Sequence, residues 1–174
     1  LEEWFPASDY AKVGIIYCAA EANSKYQADV ITDYLTEKGY TVNSYIFSDS
    51  NDVASVTTSA CQESDVIYIP TDNTAASCVE TIGNVVLENK TPVVAGEEGI
   101  LKGCGVCTIT ISYYDMGYQA GKMAADILTN GTDPSTTQIG TAGDVTKEYN
   151  PDICEELGLT PVEGYEAIDT SSED

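Results

Sequence analysis

The chain has 174 residues, of which 43% are hydrophobic, and its 29 acidic residues against 7 basic ones give a formal net charge of −22. This length suffices for one well-packed domain. The charge argues against bare nucleic acid and anionic membrane surfaces as partners. There is no histidine, which removes the commonest general base and zinc ligand as well as Ser-His and Cys-His catalysis.

Strands and helices alternate along most of the chain after a lead-in helix end or linker over residues 1–10. Five short apolar segments predict strands: Lys12–Cys18, Tyr40–Phe47, Val66–Ile69, Pro92–Ala95 and Val106–Ile111. Helically spaced apolar residues fill the gaps, and the period of about 25 residues is that of right-handed βαβ units. The sequence predicts an α/β fold, flavodoxin-like or Rossmann-like, with a parallel sheet in the order 2-1-3-4-5 and helices on both faces.

Helix boundaries are predicted from capping residues. Ser24 with Gln27 resembles a capping box, and a single helix is predicted over residues 75–87. After the fifth strand, Ser112 precedes a helix whose apolar side carries Met116, Met123, Ile127 and Leu128. Residues 138–149 are expected to hold one or two short strands, and a last short helix begins at residues 150–151.

The spacing of the six cysteines does not resemble a dense disulfide framework. Cys104-Gly-Val-Cys107 is a single CxxC pair, without a second pair and without histidine. Ordinary thiols are the favoured interpretation, with a redox pair and a metal site as less favoured ones. Cys18, Cys61 and Cys78 fall in predicted strands or helices and behave as small hydrophobic residues.

Polar turns follow the first four strands, at the edge where an open α/β sheet holds its ligand. They are Glu21–Ser24, Ser48–Asn51, Thr71–Thr74 and Glu97–Glu98. Such residues also cap helices, so ligand contact and capping stay open for the first, third and fourth turns, and capping is favoured for the second. No glycine-rich phosphate loop and no receiver-type acid pair is present, and neither a cofactor nor a metal is predicted.

Several segments together resemble one protein family. They are Val13–Tyr17, Glu21–Ser24, Ser50–Val53, Tyr68–Thr74, Pro92–Gly99, Ile111–Gly117 and Gly121–Ala124. In this order they resemble the ABC-transporter substrate-binding proteins that include tryptophan- and tyrosine-type binders, over about residues 10–161. The resemblance implies a type I periplasmic-binding-protein fold, a small-molecule solute such as an amino acid, ABC permease partners, and an extracytoplasmic protein anchored as a lipoprotein.

Such proteins have two lobes, and the chain is expected to carry only part of them. The resemblance assigns residues 10–110 to the second lobe. It assigns residues 111–160 to the segment that crosses back to complete the absent first lobe, and leaves 161–174 as an acidic tail. Without its lobe, the segment from Ile111 to Tyr149 is predicted to promote a homodimer or a domain swap.

The resemblance also places the polar turns on one wall of a pocket between lobes. The residues predicted to contact the solute are Glu21, Asn23, Ser24, Thr71, Asp72, Asn73, Thr74, Glu97 and Tyr113. The solute carboxylate would lie on the helix N-terminus at Asn23 and Ser24, and its ammonium would face Asp72 or Glu97. No catalytic residue is predicted. The alternatives are a ligand-sensing domain of a regulator with the same fold, and a small flavodoxin-like enzyme using the acidic strand edge.

Overall fold

The computed structural model describes residues 1–141, 143 and 145–171. Within these residues, seven strands form one sheet: β1 Lys12–Cys18, β2 Thr41–Phe47, β3 Val66–Ile69, β4 Val93–Ala95, β5 Cys107–Ile111, β6 Val145–Tyr149 and β7 Glu166–Ala167. The five predicted strands are therefore confirmed to within one residue at either end. They were recognisable because buried strands leave short, uninterrupted apolar runs bounded by polar or turn residues.

The sheet order is β2-β1-β3-β4-β5-β6-β7. Neighbouring strands from β2 to β5 pair in parallel, which confirms both the α/β fold class and the predicted 2-1-3-4-5 order. β6 then pairs antiparallel with β5, with Ile111 opposite Val145. β7 pairs in parallel with β6 at the far edge.

The described part of the chain has seven helices between or after these strands: α1 Ala22–Glu37, α2 Val53–Glu63, α3 Asn73–Ser77, α4 Val79–Glu88, α5 Glu98–Cys104, α6 Tyr113–Asn130 and α7 Pro151–Leu157. One face of the sheet packs on α2, α4 and α5 around a core that includes Phe47 and Ile82. The opposite face packs on α1, α7 and the N-terminal segment, where Trp4 and Phe5 are buried. Helices on both faces match the prediction, and the lead-in segment is part of the core.

Two helix predictions are wrong in detail. α1 begins at Ala22, with Glu21 as its N-cap residue, so Ser24 lies inside the helix and forms no capping box. The helix predicted over residues 75–87 is two helices, because Cys78 at φ −111° and ψ 14° leaves helical geometry between α3 and α4. The expected N-cap at Ser112 is confirmed, and the helix that it begins ends at Gly131, which lies in the left-handed region at φ 69°.

The region after β5 divides into two parts. α6 has no buried residue, although its sequence is amphipathic. In contrast, β6 extends the sheet, and α7 contributes Ile153 and Cys154 to the core on the α1 side. The assignment of residues 111–160 to a first lobe stays a prediction, and within it the described part from α6 to residue 141 lies away from the sheet.

All six cysteines are free thiols. Cys104 and Cys107 are both buried, and burial raises the pKa of each to about 12, which makes these thiols unreactive at neutral pH. Cys18 and Cys61 are buried as expected, whereas Cys78 is half-buried. Within the described part of the chain, no helix combines the length and the apolarity needed to cross a membrane.

Candidate functional site

Glu21 joins the loop after β1 to the start of α3. One of its carboxylate oxygens accepts hydrogen bonds from the N–H of Asn73 at 2.9 Å and from the Asn73 amide at 3.0 Å. The other accepts from the N–H of Thr74 at 2.7 Å and from its hydroxyl at 2.8 Å. Four donors therefore hold this half-buried carboxylate at the carboxyl edge of the sheet.

These hydrogen bonds also determine the ionisation of Glu21. Burial acts to raise the pKa of this carboxyl, but the donors of Asn73 and Thr74 outweigh burial and place the pKa below its ordinary value. Glu21 is therefore a carboxylate at neutral pH, and the helix N-terminus that it occupies favours the negative charge further.

The first turn of α1 contacts the same loop from a second direction. The Asn23 amide donates to the carbonyl of Thr71 at 2.8 Å, and the buried Ser24 hydroxyl donates to that carbonyl at 3.1 Å. The Gln27 side-chain oxygen accepts from the N–H of Thr71 at 3.1 Å. Asn23 and Ser24 thus lie where they were predicted, but their side-chain donors are directed to the backbone of Thr71.

Asp72 is buried, with 1% of its surface exposed. Its carboxylate accepts from the N–H of Cys18 at the end of β1 and from the N–H of Ala75 in α3, both at 2.8 Å. It is thus the N-cap of α3 and also ties that helix to β1. Both carboxylate oxygens already have a backbone donor, and the side chain has almost no surface at which a solute could reach it.

The loop after β4 is also hydrogen-bonded to the loop after β3, and the loops after β1, β3 and β4 together form what we call the connected edge. The Thr71 hydroxyl donates to the carbonyl of Gly96 at 3.3 Å, and the N–H of Gly96 donates to the carbonyl of Ile69 at 2.7 Å. A side chain at residue 96 would place its first carbon 2.7 Å from backbone atoms of Pro70 and Thr71, so only glycine allows this approach. The half-buried Glu97 caps α5 by accepting from the N–H groups of Gly99 and Ile100.

Tyr113 lies further along the edge, at the start of α6, and is 51% exposed. It lines a shallow cleft together with Glu98, Ser112, Tyr114 and Glu148. Glu148 was not predicted as a site residue. Burial is the main cause that raises the pKa of the Glu148 carboxyl, and the negative charges of Glu98 and Glu166 raise it further. One carboxylate oxygen of Glu148 is buried without a hydrogen-bond partner.

The structure therefore brings together three of the four predicted turns. The loops after β1, β3 and β4 share the hydrogen bonds given above, whereas the side chain of Asp49 in the second turn accepts from the N–H and the amide of Asn51 within its own turn. Gln27 and Gly96 were missed as residues that hold this edge, since neither belongs to a polar turn. Among the described residues, no group of three or more acids or cysteines is placed to hold a metal ion.

An open α/β sheet with polar loops fastened together at its carboxyl edge is the arrangement of a ligand-binding domain. The family model described as ABC transporter substrate binding protein matches residues 2–168, and the chain belongs to that family. A tyrosine-binding protein of Clostridioides difficile (strain R20291) is 37% identical over 117 residues, which span 67% of this chain and 34% of the relative.

Two solved structures extend the comparison. One is the ligand-free, open form of a substrate-binding protein with adhesive properties from Clostridium difficile, with 32% identity and a TM-score of 0.77 over 98% of this chain and 58% of the other. The second is an ABC domain in complex with L-Trp from Streptococcus pneumonia, with 27% identity and a TM-score of 0.85 over 96% and 57%. The chain therefore spans little more than half the length of these structures.

Proposed function

We propose that the chain is the second lobe of the solute-binding component of an ABC importer and that it binds a small zwitterionic solute, an amino acid or a related metabolite, without catalysis. The observation that carries the proposal is the connected edge of the loops after β1, β3 and β4, where Asp72, Thr71 and Glu21 fix the loops to one another. A pre-formed polar edge loses little entropy when it binds a ligand. The family match and the relatives that bind or hold aromatic amino acids support an amino-acid solute.

The solute carboxylate is proposed to lie at the N-terminus of α1. The N-cap residue of this helix, Glu21, makes no side-chain cap, because its carboxylate is turned to α3. The first N–H groups of a helix need partners from outside the helix, and they favour an anion. A solute carboxylate would provide what the side chain of Glu21 does not.

The solute ammonium is proposed to face Glu97. Of the two predicted acidic partners, Asp72 is 1% exposed and Glu97 is half-buried, so the carboxylate of Glu97 is the more accessible one. Asp72 remains in the proposed site as the residue that holds α3 against β1. Asn73, Thr74 and Tyr113 present partly or fully exposed polar groups along the same edge.

The opposite wall of the pocket is proposed to come from a first lobe. α6 has no buried residue, and Met116, Met123, Ile127 and Leu128 lie partly or largely exposed on it. We propose that the first lobe covers this apolar side, and that the excursion into that lobe begins at about Ser112 and includes α6. By analogy with its family, the whole protein would be extracytoplasmic, anchored as a lipoprotein, and would deliver the solute to ABC permease subunits.

Titration calorimetry on the two-lobed protein, in which this chain is joined to its first lobe, tests the proposal. L-Tyrosine, L-tryptophan, aliphatic amino acids and a sugar would be compared. Binding of one or more amino acids and not of the sugar is expected, with much weaker binding to the 174-residue chain alone. Equal affinity in the isolated chain would contradict the two-lobed pocket, and binding of the sugar alone would contradict the solute class.

A further inference from the structure

Among the strands that the structure describes, β2 forms one edge of the sheet and pairs with β1 alone. In this pairing, the backbone N–H of Thr41 donates to the carbonyl of Ala11 at 2.8 Å, and the carbonyl of Phe47 accepts from the N–H of Ala19 at 2.9 Å. Backbone groups of successive strand residues point to alternate sides. The odd-numbered residues of β2 therefore bond to β1, and the N–H and C=O groups of Val42, Ser44 and Ile46 point away from the sheet.

This edge lacks the features that usually protect a sheet edge. Charged residues, proline, a bulge or a very short strand normally prevent edge-to-edge pairing. β2 has seven residues in continuous register with β1 and carries neither charge nor proline. The opposite edge, by comparison, is the two-residue strand β7 with exposed Glu166.

The helix beside β2 carries one charged residue, Glu63, which is its last residue and accepts a hydrogen bond from the Tyr45 hydroxyl. No charged residue occurs from Val53 to Gln62 of α2, in a chain whose net charge is −22. Ser55, Val56 and Ser59 of this helix line a groove with Ser44, Tyr45 and Ile46. Two copies of an acidic chain repel one another over most of their surface, so a strand without charged residues, beside the uncharged part of α2, is where they approach each other at a low electrostatic cost.

We propose that β2 is a self-association edge, at which two copies of the chain pair their β2 strands antiparallel across a two-fold axis at Ser44. In this register Val42 lies opposite Ile46 of the second copy, and Ser44 lies opposite Ser44. The outward N–H and C=O groups of these three residues then exchange hydrogen bonds in each direction, and the apolar side chains of Val42 and Ile46 form cross-strand pairs. The result is one continuous sheet through both copies, which is an isologous interface.

The first test is the association state as a function of salt. Sedimentation of the full 174-residue chain is expected to show a monomer at low ionic strength and a growing dimer fraction toward about 0.5 M NaCl, where the repulsion is screened over a few ångströms. Ile46→Lys should weaken the dimer at least about tenfold, since edge lysines oppose strand pairing. A monomer at every concentration and salt level overturns the proposal.

Two controls separate this edge from other surfaces. Ile109→Lys makes the same chemical change at a residue of similar exposure, 50% for Ile109 and 49% for Ile46. Because Ile109 lies on an inner strand, this variant should leave the dimer unchanged. Met123→Lys examines the competing prediction made from the sequence, association through the apolar side of α6, and under the present proposal it should leave the dimer unchanged. If either variant weakens the dimer as much as Ile46→Lys does, the contact is elsewhere and the proposal fails.

Cross-linking gives a readout that does not depend on a destabilising change. Hydrogen-bonded partners in an antiparallel pair have Cα atoms about 5.5 Å apart, which lies within the span of a disulfide. Ser44→Cys should therefore give a covalent dimer on mild oxidation, whereas Ser135→Cys, at an exposed residue elsewhere, should not exceed wild type. Equal cross-linking of the two variants would rule out the two-fold axis at Ser44.

Discussion

One carboxylate oxygen of Glu21 accepts both the N–H of Thr74, at 2.7 Å, and the hydroxyl of Thr74, at 2.8 Å. The two residues are 53 positions apart in the chain and belong to different βα loops. This contact decides what the acidic side chain does. Glu21 leaves the N-terminus of its own helix uncapped and satisfies the N-terminus of another.

Glu21→Gln is expected to lower the free energy of unfolding by about 1–3 kcal/mol, because charge-assisted hydrogen bonds to two N–H groups are weakened. The matched control is Asp49→Asn, since the carboxylate of Asp49 accepts hydrogen bonds from Asn51 within its own exposed turn. Urea denaturation of the isolated chain measures both. Equal effects of the two substitutions would contradict the role given to Glu21.

The same pair predicts a pH dependence. The folded-state pKa of Glu21 lies below the ordinary 4.5, so its contribution is fully present above about pH 4.5 and is lost as the pH falls through the folded-state pKa. The stability difference between wild type and Glu21→Gln should therefore shrink below about pH 4.5. Thermal unfolding from pH 7 to pH 3 tests this, and a constant difference across the range would disprove it.

Asp72→Asn should destabilise the fold in the absence of any solute. The substitution places an amide N–H₂ where one of two buried backbone donors, from Cys18 and Ala75, needs an acceptor. A buried donor without a partner costs about 1–3 kcal/mol. Denaturation of the isolated chain measures this effect, and calorimetry on the two-lobed protein measures any separate effect on solute affinity. Unchanged stability of Asp72→Asn would show that its carboxylate does not hold the loops.

Contacts between distant residues, such as Glu21 and Thr74, show why the fold could be predicted from the sequence and the hydrogen bonds of the candidate site could not. The strands of the parallel core and their order followed from apolar runs and turn residues, which are local signals. The pairing of polar turns to one another is not local, because residues such as Asn23 and Thr71 meet only after the sheet has formed. Asp72 was therefore recognised as a cap and site residue, but its burial was not predictable from its neighbours in sequence.

The region after β5 shows a second limit of the same kind. The helix over α6 was predicted from its periodicity and caps, but periodicity does not indicate what covers the apolar side. The antiparallel return of β6 beside β5 was likewise not predicted. Val145–Tyr149 carries Lys147 and Glu148 within a five-residue strand, so it lacks the apolar run that identified the buried strands.

Gly96→Ala is expected to destabilise the chain by at least about 2 kcal/mol, since the added carbon would lie 2.7 Å from backbone atoms that cannot move independently. Gly117→Ala and Gly121→Ala are the matched controls. Both glycines lie inside α6 with open space around them, and alanine there should stabilise the helix by about 0.5–1 kcal/mol. Denaturant titration compares the three variants, and a neutral Gly96→Ala would refute the close approach.

Glu148→Gln is expected to raise stability at pH 7 by about 0.5–1 kcal/mol, a value kept small because solvent partly screens this carboxylate. Its pKa is raised by burial and by Glu98 and Glu166, so the charged form is the less stable one in the fold. The penalty is absent below the ordinary pKa of 4.5 and grows as the pH rises through the folded-state pKa. The advantage of the variant in thermal unfolding should therefore vanish near pH 4, and its persistence there would contradict the assignment.

Hydrogen exchange of α6 tests whether a first lobe covers this helix. α6 has no buried residue, whereas α1 buries Ser24, Ala28 and Leu35 against the sheet. Amides in elements with few packed contacts open at low free energy, so the amides of α6 should exchange faster than those of α1 in the isolated chain. In the two-lobed protein, the first lobe should protect α6 to a level similar to α1. Strong protection of α6 in the isolated chain at low concentration would mean that the chain covers this helix itself, and unchanged fast exchange in the two-lobed protein would show that the first lobe does not pack on it.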